Sequence, residues 1–219
     1  MTVSLELHVV ELLCSRLCHD LISPVGAIAN GVELIEEMGQ SMADEAMSLI
    51  ADSADQAARR LRLFRLAYGA AGNSGSFTAA EARTVLGAWF RGGRVRLDWP
   101  ADVMPKPDDG LLKLALNLGL LAEEAMPHGG VVTIAAAGGG GEADGGGKPA
   151  LSVTAEGPVL NLRDEVRLAL DGALAQADLT PRSVQAYVTG RFAEQCGWRI
   201  AIDAKAPEAL RFLLLRQAS

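Results

Sequence analysis

The sequence predicts an α+β protein in which an N-terminal helical hairpin precedes a two-layer α/β sandwich. Apolar residues recur at helical spacing through residues 1–70, and a stretch rich in Gly, Ala and Ser follows. Beyond this stretch, helical and strand-like segments alternate to the end of the chain. Hydrophobic residues make up 49% of the 219 residues, which is enough for a core. We therefore expect a helical hairpin at 1–70, a linker at 71–76 and an α/β domain at 77–219.

Two long helices are predicted before the linker, joined by a short connection around Gly39. The first carries a row of apolar residues at helical spacing: Leu17, Leu21, Val25, Ile28, Val32 and Ile35. The second has a heptad-like seam formed by Met47, Ile50, Ala54, Ala57, Leu61, Phe64 and Tyr68. Because two helices cannot enclose a core, we expect two copies of the hairpin to join as a four-helix bundle in a homodimer. The alternative is that the C-terminal region covers the hairpin.

The remainder of the chain predicts helices and mostly antiparallel strands. Thr78 and Glu81 form a capping box, which predicts a helix to about Phe90. Further helices are predicted at 108–126, 162–172 and 181–197. Strands are predicted at 94–99, 129–137, 150–156, 198–204 and 209–216.

Composition excludes several classes of function. A net charge of −7 and a pI near 5.0 argue against a nucleic-acid-binding protein, which needs a basic face. No continuous apolar run reaches the ~20 residues of a membrane span, and the N-terminal residues lack the basic segment of a signal peptide. An odd count of 3 cysteines fits reduced thiols, so we expect a cytoplasmic protein without membrane contact.

His19 is the candidate catalytic residue. On a helix it lies away from the row of apolar residues in the first helix, and its neighbours one and two turns away include Ser15, Ser23 and Gly26. This small, polar surrounding lets a partner protein approach the ring, and a neutral imidazole offers a nucleophilic lone pair. Asp20 is placed to orient the ring, and Pro24 should bend the helix just beyond the site.

Three other interpretations of His19 have to be weighed. A single helical histidine is most often an ordinary surface residue. Cys14 and Cys18 stand one turn apart beside it, but no second cluster completes four ligands, so we expect no metal site. A Ser-His-Asp hydrolase is disfavoured because adjacent residues on one helix cannot form a triad and the chain has no nucleophile elbow.

The segment from His19 to Pro24, H-D-L-I-S-P, resembles the H-[ED]-x-x-x-P phospho-acceptor box of bacterial sensor histidine kinases. The longer string RLCHDLISPVGAIANGVELIEE, the long second helix and the α/β remainder more closely resemble the ChpT-type histidine phosphotransferases. This resemblance covers essentially the whole chain. It implies that residues 1–70 form the dimerisation and phosphotransfer domain, and that 77–219 form a degenerate ATPase-like domain.

The α/β domain departs from an active kinase where ATP would bind. Asn117 matches the metal-contacting Asn of such kinases, whereas Lys113 stands where a second Asn is often found. Glu156 and Gly157 match one acid and one glycine of the adenine-binding loop, but the second glycine is missing. The later glycine-rich lid is replaced by LTPRSVQAYVTG, so few backbone amides can cradle a phosphate. We regard Asn117, Glu156 and Gly157 as a vestigial nucleotide site and expect no bound ATP.

The resemblance implies a phosphorelay intermediate in two-component signalling and cell-cycle regulation. It further implies that the donor is the receiver domain of a CckA-like hybrid histidine kinase and that the acceptors are CtrA-like and CpdR-like response regulators, with Mg²⁺ expected on the receiver. The residues predicted to contact receivers are Ser15, Arg16, Ile22, Ser23, Gly26 and Arg62. Arg62 belongs to an arginine cluster that can equally be a solvated helix face. An ATP-dependent histidine kinase and a non-catalytic dimeric scaffold or inhibitor remain alternatives.

Overall fold

A computed structural model describes residues 6–38, 42–70, 77–103, 110–136, 149–206 and 208–217. The helices in these ranges are α1 Leu7–Met38, α2 Ala43–Ala67, α3 Ala79–Phe90, α4 Leu111–Glu124, α5 Asp164–Leu170 and α6 Val184–Gln195. The strands are β1 Val95–Asp98, β2 Gly130–Ala136, β3 Pro149–Glu156, β4 Trp198–Ala206 and β5 Ala209–Arg216. The predicted α+β class is confirmed. The 71–76 linker lies outside the described residues.

Helices α1 and α2 pack closely along their length as the predicted hairpin. Gly31 of α1 lies against α2 so closely that a Cβ atom there would come within 2.6 Å of Ile50 Cγ1. Further along, the guanidinium group of Arg60 reaches the backbone of Asp20. These two contacts run in opposite chain directions, so the helices are antiparallel.

The five strands form one sheet in the order β1-β2-β3-β5-β4. Strand β1 pairs with β2 in parallel, and the other neighbours pair antiparallel. The alternate apolar residues of β3, Leu151, Val153 and Ala155, are fully buried and face the core, as the two-residue period of a strand requires. The predicted, mostly antiparallel sheet is therefore correct.

Helix α4 is the centre of the core. Every residue from Leu111 to Ala122 is buried, including the polar Lys113 and Asn117. A helix that is buried all round packs against neighbours on every side; α4 contacts α2, α3, α6, β2 and β3. The α/β layer is thus joined to the hairpin through α2. The predicted capping box of α3 is present, with the Thr78 hydroxyl accepting from the Glu81 N–H and the Glu81 carboxylate accepting from the Thr78 N–H.

One face of the hairpin is left uncovered by the residues that the structure describes. We call this face the apolar stripe and define it by Leu7, Val25 and Val32 of α1 with Met47 and Leu61 of α2, all of which are exposed. Helix α1 is also, over Leu7–Glu37, long and apolar enough in composition to cross a membrane. The sequence did not predict this because the apolar residues of α1 recur at helical spacing and form no continuous run. A long amphipathic helix at a protein interface has the same composition.

Candidate active site

His19 lies in the middle of α1 and its side chain is 87% exposed. Its Nδ1 atom lies 3.4 Å from Oδ1 of Asp20, whose side chain is 28% exposed. When Nδ1 carries the proton and faces this carboxylate, Nε2 keeps the lone pair and points away from the chain. The geometry therefore presents a nucleophilic nitrogen to solvent.

The backbone carbonyl of Asp20 accepts its hydrogen bond from a side chain of another helix. In an α-helix this oxygen would accept from the N–H four residues later, but that residue is Pro24, which has no N–H. The Arg60 guanidinium, reaching across from α2, donates to the Asp20 oxygen instead. The backbone directly after His19 is therefore tied to the second helix of the hairpin.

Arg60 is in turn held by the α/β domain. Its guanidinium carbon lies 5.7 Å from the ring centroid of Trp89 on α3, within cation–π range. The indole Nε1–H of Trp89 donates to a carboxylate oxygen of Glu123 on α4 at 2.6 Å. Burial raises the pKa of the Glu123 carboxyl, and the Trp89 hydrogen bond lowers it in part. A chain of contacts thus runs from α4 through α3 and α2 to the residue after His19.

A second arm runs from α4 to the turn before His19. The Arg16 guanidinium donates to the Glu124 carboxylate and, at 3.2 Å, to the backbone oxygen of Pro181. Burial raises the pKa of Glu124, and the neighbouring Arg16 opposes this. Only 19% of the Arg16 side chain is exposed, so its charge is largely committed within the chain. Contact of Arg16 with a receiver remains a prediction.

The other residues predicted to bind a partner lie around His19 or on α2. Ser15, Ser23 and Gly26 are exposed on α1, and Ile22 is 71% exposed. A Cβ atom at Gly26 would meet no other atom within 4 Å, so this glycine is not needed for packing inside the chain. Arg62 is exposed on α2. The structure brings Ser15, Ile22, Ser23 and Gly26 together on the His19 side of α1.

Asn117, predicted as part of a vestigial nucleotide site, is fully buried. Its side-chain nitrogen donates to the backbone oxygens of Ala67, at 2.8 Å, and Lys113, at 2.9 Å. The Lys113 ammonium donates to the backbone oxygen of Gly69 at 3.1 Å and lies 4.0 Å from the centroid of the Phe192 ring. Burial lowers the pKa of Lys113. These two polar side chains of α4 hold the C-terminal end of α2.

Glu156 and Gly157 lie at the end of β3. Glu156 is exposed, whereas a Cβ atom at Gly157 would stand 2.7 Å from the backbone oxygen of Gly129. The glycine at 157 is thus required by a close approach of two backbone segments. Within the described ranges, no group of three or more His, Cys, Asp or Glu side chains is arranged to hold a metal ion.

Sequence reasoning missed the residues that hold the His19 turn: Arg60, Trp89, Glu123 and Glu124. A signal was present in the pair of acids at the end of α4, since adjacent glutamates that end a mostly apolar helix need cationic or N–H partners when they are buried. Their partners are distant in sequence, 108 residues away in the case of Arg16 and Glu124. The pairings themselves depend on the fold.

Comparison with known proteins agrees with this architecture. Residues 79–208 match the family model described as histidine phosphotransferase C-terminal domain. The chain is 37% identical over 198 residues to the Protein phosphotransferase ChpT of Brucella abortus (strain 2308), a match that covers 90% of each chain. A 1.7 Å structure of a bacterial phosphotransferase is 35% identical, superposes with a TM-score of 0.72 and covers 98% of each chain. The chain is therefore a protein phosphotransferase and belongs to the ChpT-like histidine phosphotransferase family.

Proposed function

We propose that this chain is the histidine intermediate of a cytoplasmic phosphorelay. His19 takes a phosphoryl group from the receiver phospho-aspartate of a CckA-like hybrid kinase and passes it to the receiver aspartate of CtrA-like or CpdR-like response regulators. The observation that carries this proposal is the 87% exposed imidazole of His19, whose Nδ1 faces a carboxylate and whose Nε2 is free. Membership of a phosphotransferase family supports phosphorelay partners in general.

The transfer needs no proton donor from this chain. The Nε2 lone pair of His19 attacks the phosphorus, an N–P bond forms, and the P–O bond to the receiver aspartate breaks with its electrons left on the carboxylate. The phosphorylated ring retains the proton on Nδ1 and is cationic, and Asp20 at 3.4 Å is placed to stabilise it. Mg²⁺ held by the acidic pocket of the receiver would neutralise charge on the moving group. The reverse transfer uses the same contacts.

The surface around His19 supports docking of a receiver. Ser15, Ser23 and Gly26 are small, so a partner element can come close to the helix backbone, and Ile22 offers an exposed apolar contact. Arg62 on α2 supplies an exposed positive charge for an acidic receiver surface, on a protein with a net charge of −7.

We further propose that the apolar stripe is covered by a second copy of the chain, which gives a four-helix bundle and a homodimer. The stripe runs along both helices of the hairpin, and large exposed apolar faces rimmed by polar residues mark interfaces. Light scattering at micromolar concentration should give twice the mass of one chain, and Leu61→Glu should give monomers. A monomeric wild-type protein, or one recovered only with membranes or detergent, would contradict this dimer.

Binding of ATP is not part of the proposed function. The amide of Asn117 is engaged with the end of α2, and Gly157 is held against the backbone of Gly129. These contacts favour a structural role for the two residues. The chain would then depend on a phosphorylated protein as the source of its phosphoryl group.

The test is incubation of the purified protein with a ³²P-labelled phospho-receiver and Mg²⁺. We expect acid-labile, base-stable label on wild-type protein and none on His19→Gln, a variant that keeps size and polarity on an exposed position. Labelling by [γ-³²P]ATP without a partner would establish the kinase alternative. Retention of biological activity by His19→Gln would favour the scaffold.

A further inference from the structure

The phospho-acceptor turn of α1 has a break in its backbone hydrogen bonding. Pro24 lacks the N–H that would satisfy the carbonyl of Asp20, the residue next to His19. A helix with a missing bond of this kind bends, and the free carbonyl can tilt in more than one direction. A bend at this position would change the direction in which the imidazole of His19 is presented.

Arg60 fixes this direction. Its guanidinium donates to the Asp20 carbonyl from α2, and the donor is itself partly buried. The freed oxygen is thereby turned toward α2, so the two helices of the hairpin are joined at the level of the acceptor.

The α/β domain fixes Arg60. The Trp89 ring lies against the guanidinium, and the Trp89 N–H is held by Glu123 at 2.6 Å. Glu124, the next residue of α4, holds Arg16 one turn before His19. The C-terminal end of α4 is therefore linked to the acceptor turn by two routes, directly through Glu124 and Arg16 and indirectly through Glu123, Trp89 and Arg60.

We propose that Arg60 is a positioning residue for phosphotransfer, which sets the orientation of His19 by taking the place of the N–H that Pro24 lacks, and that the degenerate α/β domain serves to hold Arg60 in this place. The inference rests on the proposed function of His19 and assigns a role to the domain that no longer needs nucleotide. Arg60 acts through the backbone and touches no reacting atom.

A purely structural role and a docking role make different predictions from a positioning role. A docking arginine changes the KM for the phospho-receiver. A positioning arginine changes kcat, because a misaligned imidazole slows the chemical step and leaves the docking contacts unchanged. A purely structural arginine changes stability and leaves kcat unchanged in the folded protein. The connection to Pro24 gives a further, specific signature.

The experiment is a double-mutant cycle between Arg60→Met and Pro24→Ala in the full-length protein. In Pro24→Ala, the N–H of residue 24 can donate to the Asp20 carbonyl, so the arginine is no longer needed there. We expect Arg60→Met to lower kcat for transfer from phospho-receiver on the order of tenfold, with KM unchanged. In the Pro24→Ala background the same substitution should cost about twofold or less. Arg60→Lys, which keeps a donor, should restore part of the loss.

Arg59→Met is the matched control. Arg59 is the neighbouring residue of α2 and pairs with Asp55 of its own helix, so its removal should leave kcat and KM unchanged. Circular dichroism and light scattering establish whether each variant is folded and has the wild-type mass. The values of kcat and KM are compared only among variants that meet both conditions. If Arg60→Met does not fold alone, the cycle is run with Arg60→Lys and Arg60→Gln.

Three results would overturn the inference: an unchanged kcat in Arg60→Met, a change in KM alone, or equal losses in the wild-type and Pro24→Ala backgrounds. Failure of the proposed function is distinguishable from these. If the wild-type protein takes no phosphate on His19, both proposals fall, whereas normal wild-type transfer with a fully active Arg60→Met removes only the role of Arg60.

Discussion

Replacement of Gly26 by alanine should make the protein more stable. Gly26 lies inside α1, two turns after His19, and a Cβ atom there would meet nothing within 4 Å. Glycine in a helix interior costs about 1 kcal/mol relative to alanine because its unfolded backbone is freer. With no clash to offset this gain, Gly26→Ala should raise the free energy of unfolding by about 1 kcal/mol. For a chain of this size, that corresponds to a rise in Tm of about 2–4 °C.

Gly31→Ala is the matched control on the same helix. It brings the same gain in helix propensity, but its Cβ atom would lie 2.6 Å from Ile50 Cγ1 and 3.3 Å from the backbone oxygen of Ala46. Forcing the two helices apart costs about 1–3 kcal/mol, so Gly31→Ala should be less stable than wild type. Thermal unfolding by circular dichroism measures both variants under the same conditions.

The functional part of this prediction uses a longer side chain. Gly26→Gln should keep wild-type stability or better, yet raise the KM for a phospho-receiver several-fold by blocking the docking face. A lower Tm for Gly26→Ala would show that Gly26 is packed, against the structure. An unchanged KM for Gly26→Gln would place the receiver elsewhere. If both results are found, Gly26 lowers the stability of the chain and leaves room on its surface for a partner protein.

Three more predictions concern the polar residues of α4. Arg16→Met and Glu124→Gln should couple in a double-mutant cycle of unfolding free energy by about 1 kcal/mol, a modest value because both side chains keep contact with water; additive effects would mean that the pair does not interact. Glu123→Gln should become more stable relative to wild type as pH rises from about 4.5 to 7. Burial raises the pKa of the Glu123 carboxyl in the folded state, so wild-type protein loses stability as this group ionises. A difference in unfolding free energy that does not change with pH would refute this. Asn117→Ala should destabilise by about 2 kcal/mol, because it leaves the Ala67 oxygen without its buried partner; equilibrium unfolding in urea measures the loss, and an unchanged midpoint would contradict it.

Residues close in sequence carried most of what could be predicted about the fold. The capping box of Thr78 and Glu81 needs only a four-residue window, and the structure contains it. The helical hairpin, the mostly antiparallel sheet and the α+β class follow from local periodicity in the same way. The position of His19 away from the apolar row of α1 was also predictable, because helical spacing alone fixes which side of α1 it occupies.

The partners of each face could not be predicted. The heptad-like seam of α2 was expected to form one surface, but Ala57 and Phe64 are buried within the chain while Met47 and Leu61 are exposed. Apolar residues spaced three and four apart indicate that one face of a helix is covered. The spacing does not tell whether the same chain or another partner covers each residue. The contact of Arg60 with Asp20, and of Trp89 with Glu123, required four helices to meet, which no local pattern encodes.

The attachment of α4 to the end of α2 has a consequence for how this protein meets its partners over time. A catalytic domain that delivers ATP to a histidine has to travel to the bundle and withdraw, so the histidine is open to other proteins only in part of the cycle. Here Lys113 and Asn117 fasten the domain to the backbone of residues 67 and 69, and His19 stays uncovered. Under the proposed function, donor and acceptor receivers would then compete for one histidine that is accessible at all times, and no movement of the α/β domain would be needed before either of them binds.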